Sequence, residues 1–260
     1  MTRSFLAAAS LGILAFVASV SAFATGIFQS ITGDVRASVG AAAPARAARD
    51  QQVQTGSTVT TGPGSQAIIR LDDGHAIVLS ENSEFRINEY RFEKDNPQGD
   101  NIALQLLKGA VRSVSGLLTT RNRTRFAFLA PQATIGIRGT DFMVALENPA
   151  YLSVLEGAIS ATNAAGTAVF AAGATGTIAT ATALAVAIPA AALPATVAAT
   201  FSQLASVAIA AAAGAGAATG AAAGGLTAPV VAGVAAAAAA AAAIASSPQP
   251  IPASASGSGT

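Results

Sequence analysis

Residues 130–144, APQATIGIRGTDFMV, put Arg138 and Asp141 around Gly139-Thr140 inside an apolar, β-branched run. An arginine there can pair with a carboxylate or cap carbonyls. Thr140 and Asp141 can hydrogen-bond nearby backbone amides. Gly139 permits backbone angles that other residues resist. Such a break in a strand is either a reactive site or a corner of the fold. Turnover would need a second member, and no histidine or cysteine lies close by in sequence. The stretch is read as a structural corner, with contact to a ligand or partner as the alternative.

The other chemically able residues are sparse. His75 is the single histidine and follows Asp73-Gly74, a turn dipeptide where histidine is usually solvated. Serines abound, but there is no Gly-x-Ser-x-Gly element to present one as a nucleophile, and His75 has no partners at metal-ligand spacing. Asp95, Asp100 and Asn101 share a loop with Pro97 and Gly99. Their spacing matches no calcium loop, so a solvated loop is expected. Arg121, Arg123 and Arg125 recur at period two in TRNRTR. In an extended strand they share one face, a basic stripe able to contact an anionic partner; a solvated face is the plainer reading. Glu147 and Glu156 flank one strand pair, weak grounds for a hydrolase acting on cell-wall polymers. No catalytic residue, metal site or cofactor is expected.

Charge is confined to the first part of the chain. The last basic residue is Arg138 and the last acidic one Glu156, so residues 157–260 carry no charge. The balance of 14 basic to 13 acidic residues gives no reason to expect nucleic acid as a partner. Cysteine is absent, which excludes disulfides and thiolate metal sites. Arg3, the apolar run over residues 5–17 and the small-x-small ending Ala22-Phe23-Ala24 form an export signal, with the mature chain starting near Thr25. An uncleaved anchor is the alternative.

The elements that must position these residues are β-strands. Residues 25–49 give an N-terminal strand and linker, and a β domain runs over 50–178. Asp73-Gly74 sits between two apolar runs as a hairpin turn. Phe85 and Ile87 point one way and Tyr90 and Phe92 continue in the opposite phase, which requires a bulge or corner. Gly33, Gly109 and Gly157 recur in ITGDVRAS, LKGAVRSV and LEGAISAT, each between apolar runs, as corners of a sheet that winds or folds back. Residues 166–179 close the domain as a hairpin.

Residues 179–246 are Ala/Gly-rich and of low complexity, and 247–260 form a disordered tail. Alanine favours helix, broken at Pro189 and Pro194. Helices are expected over 195–224 and 229–245. Gly216, Gly220 and Gly224 share one face, which would let helices pack closely. Membrane association or self-association through residues 195–245 stands against a loose low-complexity tail.

These segments together resemble a known family. VQTGSTVTTGPGSQAIIRLDDGHAIVLSENSEFRI, LLKGAVRSVSGLL, APQATIGIRGTDFMVAL and LSVLEGAIS resemble, in that order, the elements of the FecR domain. The most specific is the Pro-x-Ala…Arg-Gly-Thr-x-Phe element: Pro131, Arg138, Gly139, Thr140, Asp141 and Phe142. Ala130 departs from the family's usual threonine before that proline. The resemblance implies an extracytoplasmic all-β module of solenoid-like, twisted antiparallel sheets, in the periplasm or cell envelope of a Gram-negative bacterium. In iron-uptake regulators of this family the domain follows an anti-sigma region and relays a signal from an outer-membrane transporter. This sequence shows no such region.

The expectation is a non-catalytic exported envelope protein. Its FecR-like domain would bind a protein or surface glycan, or act as a scaffold, with Arg121, Arg123 and Arg125 as the contact surface. The alternative is an extracytoplasmic signalling component sensing through an outer-membrane receptor.

Overall fold

The computed structural model describes residues 25–209. The export signal, the helix over 229–245, the glycine face and the terminal tail lie outside the described residues.

The described chain is built from fifteen strands. They are β1 (Gly26–Thr32), β2 (Val35–Val39), β3 (Ala45–Arg46), β4 (Gln52–Val53), β5 (Ser57–Thr61), β6 (Gln66–Leu71), β7 (Ala76–Leu79) and β8 (Glu84–Arg91), then β9 (Asn101–Val114), β10 (Phe126–Ala130), β11 (Ala133–Leu146), β12 (Ala150–Asn163), β13 (Gly166–Ala171), β14 (Thr175–Ile178) and β15 (Val186–Ile188). Two helices join them, α1 (Leu117–Arg121) and α2 (Ala195–Ser206). All strands belong to one sheet, ordered β15-β14-β12-β11-β10-β9-β7-β6-β1-β4, with β13, β8, β5, β2 and β3 branching from it.

The three 14-residue strands explain the branching. The first half of β9 pairs with β8 and its second half with β7. The first half of β11 pairs with β10 and its second with β9. In β12 the first half pairs with β14 and the second with β13. Each strand also changes phase at its middle. Leu104 and Leu106 are buried, then Val111 and Ser113; Ile135 and Ile137, then Phe142 and Val144; Leu152 and Val154, then Ile159 and Ala161. Side chains alternate between faces, so a strand that buries even positions and then odd ones must contain a bulge. The sheet therefore folds over itself, and both halves of each strand line one core. Phe128 from one half meets Phe142 from the other edge to face at 5.5 Å. The expected phase change in β8 is likewise a bulge, between Ile87 and Glu89.

Several expectations need correction. The sheet is not wholly antiparallel, because β10 runs parallel to β9. A parallel neighbour needs a crossover, and residues 115–125, with α1, carry the chain back to the start of β9. Residues 166–179 do not form a hairpin of their own. β13 and β14 lie end to end along β12, because β12 bends between them. Residues 25–49, read as one strand and a linker, contribute three strands, with β1 between β6 and β4. The helix expected over 195–224 ends at Ser206, and Val207 is already extended.

α2 packs on the outer face of the sheet. Val197, Phe201 and Leu204 are buried against Ile68, Val78, Ala110, Met143 and Ala145 in a second apolar cluster. Their spacing of four and three puts them on one helical stripe. Burial of a side chain of this size stabilises by about 1.5–3 kcal/mol.

Candidate functional site: the corner joining β9, β11 and α2

The Arg-Gly-Thr-Asp stretch is the bend of β11, where the pairing with β12 slips between Arg138 and Asp141. Gly139 has φ +57 and Gly157, opposite it on β12, φ +73. The two are not equivalent. A Cβ on Gly139 would meet nothing within 4 Å, whereas one on Gly157 would overlap the carbonyl oxygen of Gly139. The bend thus needs Gly157 for close approach and Gly139 for its backbone angle. The repeat read from sequence has the same basis, since Gly33 and Gly109 have φ +78 and +80.

Asp141 is taken by a residue that sequence reasoning overlooked. Arg112 on β9 donates from Nε to Asp141 Oδ1 at 2.9 Å and from Nη2 to Oδ2 at 2.7 Å. The two side chains are 13% and 11% exposed. Nη1 of Arg112 donates to the carbonyls of Leu204, Ala205 and Val207, each at 3.1 Å. The guanidinium therefore satisfies a carboxylate on the sheet and the open carbonyls at the C-terminus of α2 together, where a cation also suits the helix dipole. The Thr140 amide donates to Ser115 Oγ at 2.9 Å, and the Thr140 carbonyl accepts from the Ser115 amide at 2.9 Å. The roles expected of this stretch are thus redistributed. Asp141 binds an arginine side chain rather than backbone amides, and Arg112 rather than Arg138 pairs the carboxylate and caps carbonyls. Arg138 is exposed. Pro131 opens the β10–β11 turn, and Phe142 is wholly buried in the core.

One residue along β9, Ser113 faces inward to His75. The histidine is 0% exposed, which corrects the expectation of a solvated turn residue. Its Nε2 lies 2.8 Å from Ser113 Oγ, its ring stacks on Phe126 at 5.6 Å, and its Nδ1 is buried without a partner. Asp73, 1% exposed, accepts from the His75 amide, the Tyr90 hydroxyl and the Leu118 amide. Its carbonyl accepts from the Leu117 amide at 2.8 Å. The β6–β7 turn therefore holds the start of α1. Burial pushes the His75 imidazole below its ordinary value, opposed by the Asp73 carboxylate and reinforced by Arg70. Burial and the same carboxylate push the Tyr90 phenol up. A groove of about 750 Å³ opens between these clusters, lined by Arg70, Arg112, Ser115, Leu117, Glu156 and Ile209 among others.

The basic stripe does not exist as a strand face. Arg121 ends α1, while Arg123 and Arg125 form a 3-10 turn. Arg121 binds Asp100 through Nε at 2.8 Å and Nη2 at 3.0 Å, donates to the carbonyls of Glu93 and Lys94, and covers the Phe92 ring at 4.6 Å. The period-two stripe needs an extended strand, and residues 117–125 of the crossover are instead α1 and the 3-10 turn. Asp100, expected in a solvated loop, is 1% exposed because it receives this arginine. Arg123 and Arg125 are exposed. The 3-10 turn packs beside β11. Glu147 lies in the β11–β12 turn and Glu156 at the far end of the first half of β12, so the two do not form an acid pair. Among the described residues no cluster of His, Asp and Glu is arranged to hold a metal ion. No described helix is long and apolar enough to cross a membrane.

No curated protein matches the sequence. Two crystal structures of a candidate anti-sigma factor from Parabacteroides distasonis are similar at 14% and 13% identity, each with a TM-score of 0.41. The similarity covers 50% of this chain and 58% of theirs, so the chain spans little more than half the length of those structures. The family model described as FecR protein matches residues 57–160, from the start of β5 to the second half of β12. That span holds the β6–β7 turn, Arg112 and the whole Arg-Gly-Thr-Asp bend, and residues 57–160 are accordingly a FecR domain.

Proposed function

We propose that this is a non-catalytic, exported envelope protein whose FecR domain recognises an anionic protein or surface glycan. The observation that carries the reading is a set of three arginines, Arg138 at the bend of β11 and Arg123 and Arg125 on the 3-10 turn that packs beside β11. All three are exposed, and among the described residues none makes an ion pair. The fold uses Gly139, Thr140 and Asp141 of the motif internally and turns the arginine outward. Exposed arginines present forked donors to carboxylates, sulfates or phosphates at little desolvation cost. The non-catalytic part is supported by the burial of His75 and Ser113, both 0% exposed, which no substrate reaches.

The test is salt-dependent retention of the purified chain on immobilised anionic envelope glycan, and in-cell crosslinking of a probe placed at Arg138. The combined change of Arg123, Arg125 and Arg138 to Ser is expected to abolish retention and leave the melting temperature in place. Unchanged binding by this variant defeats the reading. A second reading, a component of extracytoplasmic signalling, is favoured by the FecR domain itself. Crosslinking to an outer-membrane receptor rather than to glycan would select it.

A further inference from the structure

The open borders of the sheet are not alike. β3 has two residues, follows Pro44 and carries Arg46. β4 also has two, and β15 has three and is followed by Pro189. Shortness, proline and basic side chains are the devices that keep sheet edges from pairing with other chains. β13 has none of them. It runs for six residues, GTAVFA, and pairs with β12 at every position without a bulge. Among the described residues no strand lies on its other side. Phe170 points into the core at 2% exposed, while Val169 stands on the outer face at 72% exposed.

We propose that β13 pairs edge to edge and antiparallel with β13 of a second copy of this chain. A two-fold axis requires an edge complementary to itself. Charge permits this, because no charged residue occurs after Glu156 and the axis opposes no like charges. Size permits it too, since the outward side chains are Thr167, Val169 and Ala171. Val169 lies near the middle of the strand. The axis therefore brings the two Val169 side chains together as a cross-strand pair, with Cβ atoms about 4.5–5.5 Å apart. The six-residue edge gains backbone hydrogen bonds, and Val169, the most exposed large apolar side chain among the described residues, is covered.

The inference is independent of the recognition reading, because the changes below leave Arg123, Arg125 and Arg138 in place. Light scattering of the purified full chain at rising concentration is expected to approach twice the monomer mass. Val169→Lys and, separately, Thr167→Lys should hold it at the monomer mass with an unaltered circular dichroism spectrum. The chain contains no cysteine. Val169→Cys should therefore form a covalent dimer on oxidation or with a short thiol crosslinker, and Val186→Cys on the guarded strand β15 should not. A parent chain that stays monomeric throughout overturns the proposal. So does a dimer that survives both lysine changes, or one trapped by Val186→Cys alone.

Discussion

Asp141→Asn tests whether the bend in β11 anchors α2. The change keeps the shape of the side chain and removes its charge, leaving the Arg112 guanidinium 13% exposed beside a neutral amide. Removing one partner of a fully buried pair costs about 3–5 kcal/mol. Here the pair is not fully buried and Arg112 keeps three carbonyl acceptors, so about 2–3 kcal/mol is expected. For a folded unit of this size that corresponds to a fall in melting temperature of about 4–12 °C. Thermal unfolding followed by circular dichroism measures the loss. Amide hydrogen exchange locates it, because the amides of α2 should lose protection before those of the core strands. Combining Arg112→Met with Asp141→Leu removes both charges and should recover at least half of the loss. A fall of less than about 2 °C with unchanged exchange in α2 would refute the reasoning.

The two glycines of the bend should separate on substitution. Gly157→Ala must displace the Gly139 carbonyl and is expected to cost more than 3 kcal/mol, whereas Gly139→Ala meets no atom and should cost about 1–2 kcal/mol of backbone strain; urea unfolding gives both values. His75 should make stability fall with acid. Its folded-state pKa lies below the ordinary 6.5, so the unfolded chain binds the extra proton first, and stability present above about pH 6.5 is lost as pH drops below it. His75→Gln should flatten that part of the profile, measured as melting temperature between pH 4 and 8 (about the range in which histidine titrates).

The two glycine contrasts also show how legible the site was. Gly33, Gly109, Gly157 and the Arg-Gly-Thr-Asp break stood out because a non-glycine residue rarely adopts those angles, and a local rule leaves a local trace. Which glycine is sterically indispensable depends on the strand across from it, and nothing near Gly157 in sequence reports that. Asp100 and His75 were misread for the same reason. Each looks like a loop residue until a partner arrives from afar, Arg121 for one and Ser113 with Phe126 for the other. The stripe of Val197, Phe201 and Leu204 was present in the sequence as a helical period but was hidden by reading that region through its alanine content.

By itself the sequence determined the β class, the glycine corners, the family resemblance and the confinement of charge to the first part of the chain, because period, turn chemistry and composition act between near neighbours. Only the tertiary structure decided that Arg112 rather than Arg138 holds Asp141, that Arg121 leaves the basic stripe, that β10 runs parallel to β9 and that α2 covers the sheet. Those outcomes follow from which distant segments a folded sheet brings within hydrogen-bond reach, a choice among many carboxylates and arginines that spacing along the chain does not encode.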